Sequence, residues 1–229
     1  EVNGIIVTNC FGNVVDIDKY VNWCKERNIF LILDNAGTGF TFYKGKNSCN
    51  YGHGSVISFH HTKQFGFGEG GAIIVDEKYE YTIRKLMNFG IDNNNPNEYE
   101  LYWNRLGNNY KISEISALYI LQYLRENFDN IVEHHRKLYD HFKETEKEGK
   151  IKLYPNFADE CMTVPMCISL LNKKYTEEFT KKLLNNGYYC RKYYHPLICS
   201  EKSYNLHKRI LCLPCNLDIN SQEYPWNYL

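Results

Sequence analysis

The feature that most constrains the fold is a strand–helix–strand pattern at the start of the chain. Gly4–Asn9 (GIIVTN) and Phe30–Ala36 (FLILDNA) are short apolar runs bounded by turn-forming residues, as strands buried on both faces of an α/β sheet are. Between them Ile17, Tyr20, Val21 and Cys24 recur at helical spacing behind Asp16, a suitable N-cap. A helix between two strands lets the second run in the same direction as the first, so the unit predicts a parallel, helix-covered sheet. Two further runs, Ser55–His60 (SVISFH) and Ala72–Asp76 (AIIVD), predict more strands of that sheet.

A second helix is expected over Glu77–Asn88, ended by Gly90, and the Asn-rich stretch Asp92–Asn108 reads as loop around Pro96. Ser113 then opens a long pattern in which Ile115, Leu118, Leu121, Leu124, Phe128, Ile131, His135, Leu138 and Phe142 step by three or four residues toward Gly149. This predicts a helix joining two domains, bent around Asn127–Asn130. Beyond Lys150, Met162–Leu171 alternates as a strand, Thr176–Asn186 reads as a helix closed by Gly187, and Tyr188–Tyr194 reads as another strand. The expected organisation is part of a large α/β domain with a mostly parallel sheet over residues 1–130, followed by a small α+β domain over residues 131–229.

Charge and cysteine usage exclude several functions. Lys and Arg number 27 against 27 Asp and Glu, so nothing electrostatic favours nucleic acid or an anionic membrane as partner. No apolar run approaches the roughly 18 residues that span a bilayer, and the opening EVNGIIVTNC lacks the basic flank and cleavage site of a secretory signal. The nine cysteines are scattered, and only Cys212 and Cys215 form a C-x-x-C pair, without the second pair or histidines that zinc requires. They read as reduced thiols used as small apolar residues, which implies a cytoplasmic protein and no metal site. The chain also enters a strand almost directly after Glu1, which reads as truncation.

The stretch SFHHTKQFGFGEGG, Ser58 to Gly71, carries the chemistry. Gly66, Gly68 and Gly71 match G-x-G-x-x-G, but they precede a strand where a dinucleotide site needs them to follow one and open a helix. They read instead as tight turns or as places where backbone passes close to a ligand. Lys63 sits just past a strand end in this glycine-flanked loop; on its own it would read as a solvated surface lysine. Asp34 ends the apolar run FLIL, an expensive place for a charge without a partner.

Four segments in order, DNAG at Asp34–Gly37, SFHHTK at Ser58–Lys63, GEGGAIIVD after it, and GNNYKISEISA at Gly107–Ala117, resemble the DegT/DnrJ/EryC1/StrS aminotransferases. RKYYHPL at Arg191–Leu197 and the later LCLPC resemble the small domain of that family. The resemblance implies a pyridoxal-phosphate-dependent transferase of fold type I, in the aspartate aminotransferase superfamily. It implies transfer of an amino group, from glutamate, to a nucleotide-linked keto-deoxysugar in a homodimer with shared sites. On this resemblance Lys63 would join the cofactor aldehyde as a Schiff base and shuttle the proton, and Asp34 would pair with the protonated ring nitrogen. A carboxylate about 4 Å from a ring cation contributes ~4 kcal/mol at an effective dielectric of 20, roughly three pKa units, enough to hold that proton. Ser58 would bind the cofactor phosphate, His60 would lie near the ring or substrate, Asn109 would reach the phosphate of the partner subunit, and His195 would lie on the substrate side. A hydrogen-bonded core histidine at His60 and plain turn chemistry at Asn109 and His195 are the alternatives.

The chain departs from the family at three places. Gly37 stands where the family has Gln or His near the ring, and Lys111 stands where it has Arg, whose forked contact Lys cannot reproduce. The N-terminal segment that supplies the family's Gly-Ser/Thr phosphate turn, ring-stacking aromatic and part of the sheet has no counterpart here. A truncated, non-catalytic binding or regulatory piece is therefore the alternative. A related sugar 3-dehydratase carries histidine in place of the lysine, so Lys63 argues for transamination.

Overall fold

A computed structural model describes residues 2–91, 106–155, 157–171, 177–198 and 200–219. Strand β1 (Gly4–Thr8), helix α1 (Ile17–Arg27) and strand β2 (Phe30–Asp34) form the expected unit, with β1 and β2 parallel in the register Thr8 opposite Asp34. Asp16 caps α1 by accepting the Lys19 amide at 3.3 Å, and Asn28 ends it in the left-handed conformation. After the short hairpin β3 (Phe42–Tyr43) and β4 (Lys46–Asn47), strand β5 (Gly54–Ser58) joins β2 in parallel. Strand β6 (Gly71–Val75) turns back antiparallel along β5, giving a four-stranded sheet ordered β1-β2-β5-β6.

The expectation that these strands are buried on both faces holds for one face only. Side chains alternate across a strand; Leu31 and Leu33 are buried with Ile17 and Cys24 of α1, whereas Ile6, Phe30 and Ile73 on the opposite face are exposed. Thr8, Asp34 and Ser58 lie on this open face, by alternation and register, at the strands' carboxyl ends.

Helix α2 (Glu80–Met87) follows a single 3-10 turn, Glu77–Tyr79, within the segment read as helical. Most of the Asn-rich stretch read as loop, 92–105, lies outside the described residues. Helix α3 (Glu114–Lys147) is one uninterrupted helix, capped by Ser113 accepting from Ser116. The helix is not broken at Asn127–Asn130, where Asn127 Nδ2 donates to the Tyr123 carbonyl at 3.1 Å. Ile120, near the start of α3, and Ile131, at its middle, pack against Phe40, Phe59, Phe65 and Val164. The second half of α3 packs Leu138, Tyr139 and Phe142 into a separate cluster.

That second cluster is closed by Ile168, Leu170, Leu183, Leu211 and Leu213. The strand read over Met162–Leu171 is two strands, β7 (Cys161–Met162) pairing with β3, and β8 (Ile168–Leu171). The link between them is diverted by hydrogen bonds to other segments, among them Val164 N–H to Thr41 Oγ1 at 3.0 Å. Helix α4 (Glu177–Asn185) ends at Gly187 as expected. The strand read over Tyr188–Tyr194 is reduced to one bridge, Arg191 with Cys212. Helix α5 (Glu201–Arg209) leads directly into strand β9 (Ile210–Leu213), antiparallel to β8.

Candidate active site

Beneath the carboxyl ends of β1, β2 and β5 runs a buried chain of hydrogen bonds. Asn9 Nδ2 donates to Asn35 Oδ1 at 2.8 Å, Asn35 Nδ2 donates to Ser55 Oγ at 2.8 Å, and Ser55 Oγ donates to the Leu33 carbonyl at 3.1 Å. Thr38 Oγ1 donates to the Asn9 carbonyl at 3.0 Å, and Thr41 Oγ1 donates to the Gly12 carbonyl at 2.6 Å. These side chains are almost fully buried, so each lost bond would leave a desolvated partner. The lattice fixes the loops that leave the strand ends, and with them the residues above.

Asp34 is the last residue of β2. Its Oδ1 accepts the Ala36 amide at 3.1 Å and its Oδ2 accepts the Thr8 hydroxyl at 3.2 Å, so the carboxylate is aimed from two sides. Ser58 ends β5, and its Oγ accepts the His60 amide at 3.1 Å. Its own proton has no acceptor among the described residues and is available to an anionic oxygen.

Lys63 follows in a tight turn whose amide donates to the His60 carbonyl at 2.9 Å. The loop is fixed on its far side by Phe65, which is buried against Phe40 with ring centroids 4.0 Å apart. It closes tightly because Gly66 has no side chain: a Cβ there would stand 2.5 Å from the His61 carbonyl oxygen. The amine is half-buried and 3.8 Å from Met166 Sδ. Desolvation pushes its pKa below the ordinary lysine value, against an upward pull from Cys167, Asp34 and Cys10. Solvent reaches Cys10, yet its thiol pKa is raised by desolvation first and by Asp34 next, and lowered by Lys63. One thiol thus feels both charges, which brings the predicted amine and the predicted acid to one locality.

The remaining predicted residues divide. His60 is exposed beside this cluster, with Nδ1 at 3.0 Å from the Thr62 hydroxyl and its ring against His61. Asn109 is exposed, its amide held by the Asn108 side chain and its backbone bridged to Asn88. His195 is exposed, edge-on to His207 and Tyr204. Among the described residues the contacts of Asn109 run to Asn108 and Asn88 and those of His195 to Tyr204 and His207, and none of these partners is Lys63 or Asp34. Sequence reasoning missed Thr8, Cys10 and Met166. Thr8 was findable as a polar residue at the end of β1, level with Asp34, and Cys10 as a thiol two positions beyond it; Met166 carries no such signal.

The sheet and helices have the fold of part of a pyridoxal-phosphate-dependent transferase of fold type I. The chain belongs to the DegT/DnrJ/EryC1/StrS aminotransferase family, whose sequence profile matches residues 1–222. It is 26% identical to a dTDP-4-amino-4,6-dideoxy-D-glucose transaminase of Shigella dysenteriae over 96% of this chain and 63% of that relative. A DegT/DnrJ/EryC1/StrS aminotransferase from Brucella abortus superposes with a TM-score of 0.79 at 21% identity, covering 96% of this chain and 61% of the other. The GDP-4-keto-6-deoxy-D-mannose-3-dehydratase of E. coli, solved with bound hydrated pyridoxal phosphate, superposes at 0.81 with 17% identity, over 94% of this chain and 63% of the other. The chain thus spans less than two thirds of the length of these proteins.

Proposed function

We propose that this chain carries the lysine-bearing half of the active site of an aminotransferase that moves an amino group from glutamate to a nucleotide-linked keto-deoxysugar. The observation that carries the reading is the desolvated Lys63 amine sharing one locality with the oriented Asp34 carboxylate. These residues fit pyridoxal phosphate, which when bound supplies an aldehyde for a lysine and a ring that accepts electrons. Lys63 would hold the group. Its lowered pKa increases the share of neutral amine near neutral pH, which a base needs in order to take a proton at Nζ and return it. Asp34, fixed by Ala36 and Thr8, presents a carboxylate to a ring nitrogen. Ser58 offers its free O–H, and His60 lies within the same loop.

Asn109, which is exposed, is taken to serve a neighbouring copy, and His195 is taken to face the sugar. A homodimer in the cytoplasm is the assembly proposed; among the described residues the cysteines are free thiols and no helix is long and apolar enough to cross a membrane. The transaminase reading is preferred over dehydration because Lys63 keeps an amine at this position. A second reading, a non-catalytic binding piece, draws on Gly37, which offers no side chain toward the site.

The test is a visible absorption spectrum of the purified chain mixed with pyridoxal phosphate. A band that Lys63→Ala abolishes and that glutamate bleaches is expected. A colourless wild type would overturn the catalytic reading, and a coloured protein that ignores glutamate would overturn the donor.

A further inference from the structure

Met166 is 7% exposed and lies in the diverted link between β7 and β8. Its Sδ is 3.8 Å from Lys63 Nζ. The same atom fills the space that Gly37 leaves open: a Cβ on Gly37 would stand 2.9 Å from Met166 Sδ and 3.8 Å from its Cγ. The thioether is therefore wedged between the turn after β2 and the lysine amine.

Its backbone has little freedom to move. The Pro165 carbonyl accepts from His135 Nδ1 at 2.8 Å and from the Cys215 thiol at 3.5 Å. Val164 N–H is held by Thr41 Oγ1, and the Val164 carbonyl accepts Gln64 Nε2 at 2.8 Å. Gln64 also reaches the Gly37 carbonyl at 3.4 Å. One side chain adjacent to Lys63 thereby ties together the three segments that meet at the thioether.

We propose that Met166 is a positioning residue for the Lys63 amine, its thioether occupying the place a side chain at position 37 would take and shielding the amine from water on that side. The proposal rests on the role of Lys63 given above. A thioether is a weak acceptor, so its effect comes from excluding water and fixing the amine's position more than from a strong bond. The other groups facing the amine are Asp34, Cys10 and Cys167. Met166 also packs against Phe11, Cys167, Ile210 and Cys212, so a purely structural role is the contrary case.

The experiment is competitive acetylation of the full chain without cofactor, following the Lys63 peptide by mass spectrometry across pH. Met166→Ala is expected to raise the Lys63 midpoint toward that of an ordinary lysine and to lower its labelling several-fold near neutral pH. Met166→Leu, which keeps the volume, is expected to retain most of the depressed midpoint. Gly37→Ala, which displaces the thioether, is expected to shift the midpoint when Met166 is present and to have no effect in the Met166→Ala background. An unchanged Lys63 midpoint in a folded Met166→Ala chain would overturn the proposal, as would equal effects of Gly37→Ala in both backgrounds. If Met166→Ala does not fold, Met166→Leu must match the wild type while Gly37→Ala differs from it, and any other result counts against the idea. Because no cofactor is present, a colourless chain that shows this coupling leaves Met166 in its role and removes only the enzymatic reading.

Discussion

The ground beneath the strand ends and the cluster around the second half of α3 are both buried, but they are built from different materials. The first is a lattice of Asn9, Asn35, Thr38, Thr41 and Ser55 joined by hydrogen bonds of 2.6–3.1 Å. The second is Leu, Ile, Phe, Tyr and Cys with scarcely a polar atom at its centre. Apolar packing is non-directional and supplies stability in proportion to area. A hydrogen-bond lattice contributes modestly per bond but dictates where each loop must lie. The site stands on the material that fixes position.

The strongest attack on this contrast is Phe142→Ala. Phe142 is fully buried in the apolar cluster, so its truncation should cost about 3–5 kcal/mol in urea unfolding. A loss under about 1 kcal/mol would mean that the cluster is not the main source of stability. Next comes acid. Burial of His135 holds its pKa at about 4, against 6.5 for an ordinary histidine. The unfolded chain therefore binds more protons between those values, and stability present in full above pH 6.5 falls as pH drops toward 4, by about 3 kcal/mol in all. His135→Gln should flatten that slope; an unchanged slope would place the acid sensitivity elsewhere.

Asn35→Ala tests the polar lattice. It strands Asn9 Nδ2 and alters the setting of Ser55, and should cost about 1–3 kcal/mol. The sharper expectation is a weakened Lys63-dependent absorption band at temperatures where the variant remains folded, whereas a more conservative variant of the apolar cluster, Leu183→Ile, leaves the band intact once folded. Asn109→Ala should have the smallest effect, within about 0.5 kcal/mol, since Asn109 is exposed and held through its backbone. A larger loss that depends on protein concentration would place Asn109 in a contact between copies.

The strand–helix–strand start, the caps at Asp16 and Ser113 and the long helix were legible because they obey local rules of period and capping. The position of Asp34 and Ser58 at strand ends, with Lys63 in the loop beyond, was legible from the apolar runs that precede them. What was not legible depends on distant partners. The link that breaks the Met162–Leu171 strand is held by Thr41 and Gln64, which lie 123 and 100 positions away along the chain from Val164. Met166 meets Gly37 and Lys63 only through that detour. The open face of the sheet was misread because apolar alternation reports what a strand can bury, not what covers it.

One consequence follows from α3 running unbroken through both cores. At 1.5 Å per residue its 34 residues make a rod of roughly 50 Å. Phe142 sits toward one end of this lever, while Ile120, toward the other, and Ile131, at its middle, bear on the cluster holding Phe65, two positions beyond Lys63. A tilt of a few degrees imposed on the far end is transmitted over that length as an ångström-scale push beside the amine.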